Sequence, residues 1–276
     1  MPLKLMYITN NPEVASVAQK YGVDRIWVDM EYRGKDLRQK GLDSVKNHHT
    51  VQDVKNLRPV LKQSELLVRI NPWEDGYSQQ EINDVIEAGA DMIMLPMWKS
   101  FHEVRSFLNA VDGRAKTTLL LETKEAVECL DEVLTNGGFD EMHVGLNDLH
   151  LSYHLTFMFQ LLTNGVIEEL CHRFEEAGVP YGFGGIARIG EGAVPAEKII
   201  VEHYRLGSTR AILSRAFCDC SKITDICEIE ETFKVNMKKL RSFEDSIAKM
   251  SDEDFERNQT DLKQAVQSVV DKIQAR

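Results

Sequence analysis

The feature that most constrains this chain is an alternation of eight short apolar runs with longer stretches of helical period, punctuated by Gly, Asn, Asp or Pro. The runs are Leu3 to Thr9, Arg25 to Asp29, Leu66 to Ile70, Met92 to Pro96, Thr117 to Leu121, Glu141 to Gly145, Tyr181 to Ile186 and Thr209 to Leu213. Between them the spacing predicts helices at Glu13 to Lys20, Val51 to Leu61, Gln79 to Ala88, Phe101 to Ala110, Lys124 to Leu134, Val166 to Ala177 and Ala196 to Tyr204. Runs such as Met92-Ile93-Met94-Leu95-Pro96 are apolar throughout, as a parallel strand covered on both faces must be. The rival is an open doubly wound sheet, which normally carries a glycine-rich turn after its first strand. Here that turn reads Thr9-Asn10-Asn11-Pro12. The sequence therefore predicts an α/β fold, a (β/α)8 TIM barrel, and 276 residues are enough for one.

After Ser214 the alternation stops, and a strongly charged tail of helical spacing follows, with Val266, Val269, Val270 and Ile273 on one apolar face. The expected organisation is a barrel catalytic domain over residues 1–221 and a C-terminal helical extension over 222–276, packed on the barrel or on a neighbouring subunit.

Charge narrows the partner. With 33 Lys and Arg against 44 Asp and Glu, the net charge of −11 disfavours nucleic acid and anionic membrane surfaces, both of which reward clustered cations. A small molecule is expected instead. No basic N-terminal region precedes a long apolar run, so the expected location is cytoplasmic. The five cysteines, Cys129, Cys171, Cys218, Cys220 and Cys227, are read as reduced thiols. The last three lack the paired two-residue spacing and the nearby fourth ligand of a structural zinc site.

In a barrel of this kind the loops that follow the strands carry the chemistry. Asp29 and Glu31 follow the second run, Arg69 ends the third, Glu122 follows the fifth and Asp148 lies beyond the sixth. Two carboxylates on neighbouring strand ends, with water in the remaining positions, suit a hard divalent cation such as Mg2+ or Mn2+. Glu122 and Asp148 are the candidate pair, set against the alternative that each merely caps the next helix. For Arg69 the alternative is an ion pair with Asp29 or Glu31.

Five segments, in order, resemble the HpcH/HpaI aldolase and citrate lyase β-subunit family: Val28-Asp29-Met30-Glu31, Val68-Arg69-Ile70-Asn71, Ala88 to Pro96, Leu121-Glu122-Thr123 and Val144 to Leu149. The resemblance implies that Glu122 and Asp148 hold a divalent metal ion, that Arg69 contacts a 2-oxo acid substrate, and that backbone amides near Asn147 and Asp148 receive its carboxylate. The implied chemistry is a metal-dependent carbon–carbon lyase or aldolase acting through a pyruvate or oxaloacetate enolate, with Glu31 orienting water. It also implies a homo-oligomer, from dimer to hexamer.

One departure stands out. The pyruvate aldolases of that family have a histidine directly after the glutamate of the second strand, and here that position is Tyr32. Citrate lyase-type members also lack it, so a lyase acting on an acyl-coenzyme A thioester is the alternative, and a catalytically silent barrel serving as a binding or assembly subunit is a third reading. The long connection from Arg33 to Thr50 carries Arg33, Lys35, Arg38, Lys40, Lys46, His48 and His49. Within it, His49 is the candidate replacement base, just before Thr50, the predicted N-cap of the helix starting at Val51. Tyr181-Gly182-Phe183-Gly184-Gly185 is read as a tight strand exit ahead of a phosphate seat. His143, His150 and His154 lack ligand spacing and are given structural or rim roles.

Overall fold

The computed structural model describes residues 1–34 and 47–275. Lys35, Arg38, Lys40 and Lys46 of the basic connection therefore lie outside the described residues. Eight parallel strands follow one another in chain order around a closed barrel. They are β1 (Lys4–Ile8), β2 (Arg25–Asp29), β3 (Glu65–Arg69), β4 (Met92–Leu95), β5 (Lys116–Leu121), β6 (Glu141–Val144), β7 (Tyr181–Ile186) and β8 (Arg210–Leu213). Each overlaps its apolar run, with ends displaced by a residue or two at most.

The helices follow their predicted stretches, with two informative differences. Val51–Leu57 is shorter than expected because Pro59 has no N–H to continue the ladder. The stretch from Lys124 is two helices, Lys124–Glu128 and Leu130–Asn136, divided at Cys129, whose backbone (φ −98°, ψ 8°) leaves the helical region. Among the described residues no helix is long and apolar enough to cross a membrane.

The chain forms two compact units, Met6–Met142 and Met1–Leu5 with His143–Arg276. In the first, β2 and β3 run in register from Arg25 opposite Glu65 to Asp29 opposite Arg69. Side chains two apart share a face of a strand, so Arg25, Trp27 and Asp29 line one side of β2, and Glu65, Leu67 and Arg69 line the same side of β3. The identity of each layer then follows from the sequence. At the start of the strands Arg25 is almost wholly buried, donating from Nε to Glu65 (2.6 Å) and from both terminal nitrogens to the buried Glu141 of β6. Lys116 of β5 reaches Glu65 from the other side. Burial alone would raise the Glu65 carboxyl, but hydrogen bonds from Lys116 and Arg25 outweigh it and hold it down at about 2.

In the second unit, Lys4 of β1 donates its backbone N–H to the carbonyl of Thr209, just before β8. The same strand is tied to the helix Ile226–Ile247. The Leu3 N–H donates to the buried Glu244 carboxylate (2.8 Å), Arg241 of that helix donates to the Leu3 carbonyl (2.9 Å), and the Tyr204 hydroxyl donates to Glu244 (3.0 Å). The last helix, Asp252–Gln274, buries Leu262, Val266 and Val270 and packs on the helices Ala196–Arg205 and Gln160–Thr163. Half of the apolar face expected at the chain end is thus covered within one subunit, while Ile273 remains 40% exposed.

Register between β7 and β8 shifts between Gly182 and Gly185. A Cβ on Gly182 would sit 2.2 Å from the carbonyl oxygen of Arg210, so the glycine is required by a close backbone approach, which falls at the start of β7 rather than at its exit. Phe183 stacks on His203 at 3.9 Å, and Ser208 Oγ lies 2.8 Å from His203 Nδ1. Burial, and then the neighbouring His143, push the His203 imidazole down to about 3.

Two outcomes are expected. Glu141→Ala leaves both terminal nitrogens of the buried Arg25 without their carboxylate, with Glu65 still on Nε, and lowers unfolding stability by about 3 kcal/mol in urea titration, whereas the double change Arg25→Met with Glu141→Leu recovers most of it. His203 folds neutral, but the unfolded ring takes up a proton below about pH 6.5. Its contribution is therefore complete above that pH and lost as pH falls toward 3, and His203→Gln should flatten the measured acid limb over that window.

Candidate active site

The unit Met6–Met142 gathers a charged cluster at the ends of β2, β3 and β5. Because Asp29 and Arg69 are register partners, their side chains meet as a planar fork, with Arg69 Nε on Asp29 Oδ1 and Nη2 on Oδ2, both at 2.8 Å. The third guanidinium nitrogen, Nη1, lies 3.3 Å from Glu31 Oε2, and the guanidinium stands 5.2 Å from the Trp27 ring centre. Burial alone would lower the Arg69 pKa, but the charges of Asp29, then Glu31, and finally Glu122 raise it above the ordinary guanidinium value. The ion pair weighed as an alternative for Arg69 exists, and it leaves the cation fixed rather than mobile.

Asp29 is the hub. Besides the fork, its carboxylate accepts the Glu31 N–H (3.2 Å) and the Asn47 amide (3.1 Å). Its own N–H donates to His49 Nδ1 at 3.0 Å. That contact sets the chemistry of His49. A ring nitrogen accepting an N–H has no proton of its own, so the neutral imidazole carries its proton on Nε2 and presents a donor there. With Nδ1 occupied in this way, the base role read from sequence would require the contact to be released. Thr50 is the N-cap of Val51–Leu57, as predicted, with its N–H (2.7 Å) and hydroxyl (2.9 Å) both bound to Asp53.

Glu122 is buried, and one of its oxygens accepts the N–H of Met97 at 3.1 Å, where the backbone adopts φ +54°. It does not cap the next helix. Thr123 does, accepting the Ala126 N–H at 3.1 Å. Asp29, Glu31 and Glu122 thus bring three carboxylates to bear on one guanidinium. Buried hard oxygen donors of this kind fit a divalent cation of the Mg2+ or Mn2+ type. Asn147 and Asp148 lie in the other unit, both half-buried in the first turn of a helix, Leu146–Ser152, that the apolar periodicity did not disclose. Among the described residues there is no group of three or more His, Cys, Asp or Glu side chains arranged as a metal set. His143 and His150 are buried, and His150 Nδ1 lies 3.2 Å from the Leu146 carbonyl of its own helix.

Sequence reasoning missed the support beneath this cluster. Asn71, fully buried after β3, accepts the N–H groups of Tyr32 and Arg33 (both 3.1 Å) and donates to Glu81 at 2.7 Å. Burial pushes the Glu81 carboxyl up, against the lowering effect of the Asn71 bonds. The available signal was helical phase: Ser78, Glu81, Ile82 and Val85 form the buried face of Ser78–Glu87, so Glu81 faces inward. Tyr32 itself is 52% exposed at the rim.

A parallel β/α barrel with a fixed arginine and buried carboxylates at its strand ends belongs to the enzyme class that builds its active site on that face. The family model for HpcH/HpaI aldolase/citrate lyase matches residues 4–157, more than half of the chain, and the chain belongs to that family. Its activity is accordingly of the lyase or aldolase kind. Among solved structures, it is similar to an HpcH/HpaI aldolase from Desulfitobacterium hafniense DCB-2 at 15% identity and TM-score 0.59, covering 83% of this chain and 93% of that one. An HpcH/HpaI aldolase/citrate lyase family protein from Burkholderia cenocepacia J2315 gives 14% identity and TM-score 0.62, covering 83% and 94%. A variant of the citrate synthase SbnG with one glutamate changed to glutamine gives 16% identity and TM-score 0.54, covering 77% and 86%. At these identities the likeness speaks for the fold. No curated protein matches the chain.

Proposed function

We propose that this chain is a divalent-metal-dependent carbon–carbon lyase or aldolase acting on a 2-oxo acid of the pyruvate or oxaloacetate kind. The observation that carries the proposal is the Asp29–Arg69 fork: a buried, immobilised guanidinium at a strand end, with Glu31 and Glu122 beside it. In this reading Glu122 and Asp148 would hold Mg2+ or Mn2+, and the ion would supply Lewis-acid polarisation of a keto oxygen. Arg69 supplies a second positive charge where the enolate oxygen develops. Because both of its inner nitrogens are held by Asp29, the chain does no reorganising work as that charge appears. Backbone amides near Asn147 and Asp148 receive the substrate carboxylate, and Glu31 orients water. His49 serves as a hydrogen-bond donor through Nε2 toward a developing alkoxide, in place of the base that Tyr32 cannot supply.

Calorimetric titration of pyruvate and oxaloacetate, into metal-free protein and into protein loaded with Mn2+ or Mg2+, tests this directly. Binding is expected with metal alone, weakened by at least about tenfold in Glu122→Gln and in Asp148→Asn, which corresponds to about 1.4 kcal/mol. Binding of an acyl-coenzyme A thioester by a protein indifferent to both keto acids would replace this reading with the citrate lyase-type one. Absence of any metal or ligand binding would leave the silent barrel. The same reading includes a homo-oligomer between dimer and hexamer, with exposed Ile273 at the chain end available for a neighbouring copy. Light scattering on the eluting protein should give a multiple of 31.5 kDa, and a monomer removes that part.

A further inference from the structure

Two thiols that the proposed chemistry does not use lie together in the segment joining β8 to the helix Ile226–Ile247. Cys218 and Cys220 bring their Sγ atoms to 3.9 Å, and all five cysteines are thiols. A disulfide needs about 2.05 Å between sulfurs, so closing this pair asks for an approach of roughly 1.9 Å.

The fold holds the pair from both sides. Upstream, Phe217 is buried with its ring 5.8 Å from that of Phe233, and its N–H donates to the Ser214 carbonyl (2.8 Å). Between the two cysteines, Asp219 is pinned forward: its carboxylate accepts the Ser221 hydroxyl (2.6 Å) and N–H (3.2 Å), and its carbonyl accepts the N–H groups of Lys222 and Ile223. Burial separates the two thiols. Cys218 is 2% exposed, whereas Cys220 is partly open to solvent.

We propose that Cys218 and Cys220 form a redox couple that closes to an intrachain disulfide under a peroxide, with Cys220 the attacking thiol and Cys218 the resolving one. The Cys220 thiolate attacks one oxygen of the peroxide, breaks the O–O bond and becomes a sulfenic acid while water leaves once protonated. The Cys218 sulfur then attacks the Cys220 sulfur and expels the hydroxyl group as a second water. Two thiols lose two electrons and two protons, and one hydrogen peroxide becomes two waters. An accessible thiol beside a resolving partner is the arrangement that favours this reversible outcome over further oxidation. The couple does not depend on the assignment of the keto-acid site.

The test uses the whole protein as purified. It is treated with one equivalent of hydrogen peroxide, unfolded in iodoacetamide and cut with trypsin, which cleaves after Arg215 and Lys222 and places both cysteines in peptide 216–222. The peptide is expected without alkylation and lighter by two hydrogens, returning to the doubly alkylated form when dithiothreitol precedes alkylation, while Cys227 stays alkylated throughout. Double alkylation after peroxide, a bond from Cys220 to Cys227 or to a second chain, or a sulfinate in place of the disulfide would each overturn the couple. In Cys218→Ser, dimedone should capture a sulfenic acid on Cys220. In Cys220→Ser, Cys218 should stay unmodified, and a dimedone adduct there would overturn the assigned order of attack.

Discussion

The in-register pairing of β2 with β3 is the constraint on which the rest of the site depends. Setting Arg25 opposite Glu65 fixes Asp29 opposite Arg69 four residues later, so one alignment sets a charged layer at each end of the strands. A slip of a single residue would turn each of these charges to the other face. The two layers use the same chemistry for different ends. At the strand starts Arg25 is surrounded by partners that satisfy it, and the result is a closed structural plug. At the strand ends Arg69 is forked to Asp29 with Glu31 beside it and Glu122 close enough to raise its pKa, so the second layer is built from acids around one cation.

A buried fork of this kind contributes little to net stability, because the desolvation of both ions offsets most of their attraction. Its value is positional. Asp29 spends its carboxylate on Arg69, the Glu31 N–H and Asn47, and its backbone N–H on His49, so four groups take their places from one residue. Asn71 plays the matching part on the next strand, holding the backbone of Tyr32 and Arg33 from beneath.

Much of this was legible in the sequence. The strands were readable because a parallel strand buried on both faces has an unbroken apolar signature, and the polar residues ending each run marked the working face. Helix ends were less legible: the break at Cys129 and the short helix Leu146–Ser152 have no periodic signature long enough to read. The partners of a charge were also hidden. Arg69 could be named from its place on β3, but whether it met Asp29, Glu31 or neither was a matter of register between strands forty residues apart. His49 shows the limit most clearly. Its position was found from its neighbours in sequence, but the partner of its Nδ1 is a backbone N–H twenty residues away, which composition and spacing do not report.

The tie between Leu3 and Glu244 has a consequence for how the chain is made. The carboxylate that receives the Leu3 N–H and the arginine that holds its carbonyl are synthesised about 240 residues after Leu3 itself. At bacterial or eukaryotic elongation rates of about 5–20 residues per second, that is a wait of roughly 12–50 seconds. Throughout that interval β1 has its β2 neighbour but neither its Thr209 contact nor its cap, and its edge is open. Leu3 and the strand it leads into are therefore locked only once the helix Ile226–Ile247 has been made.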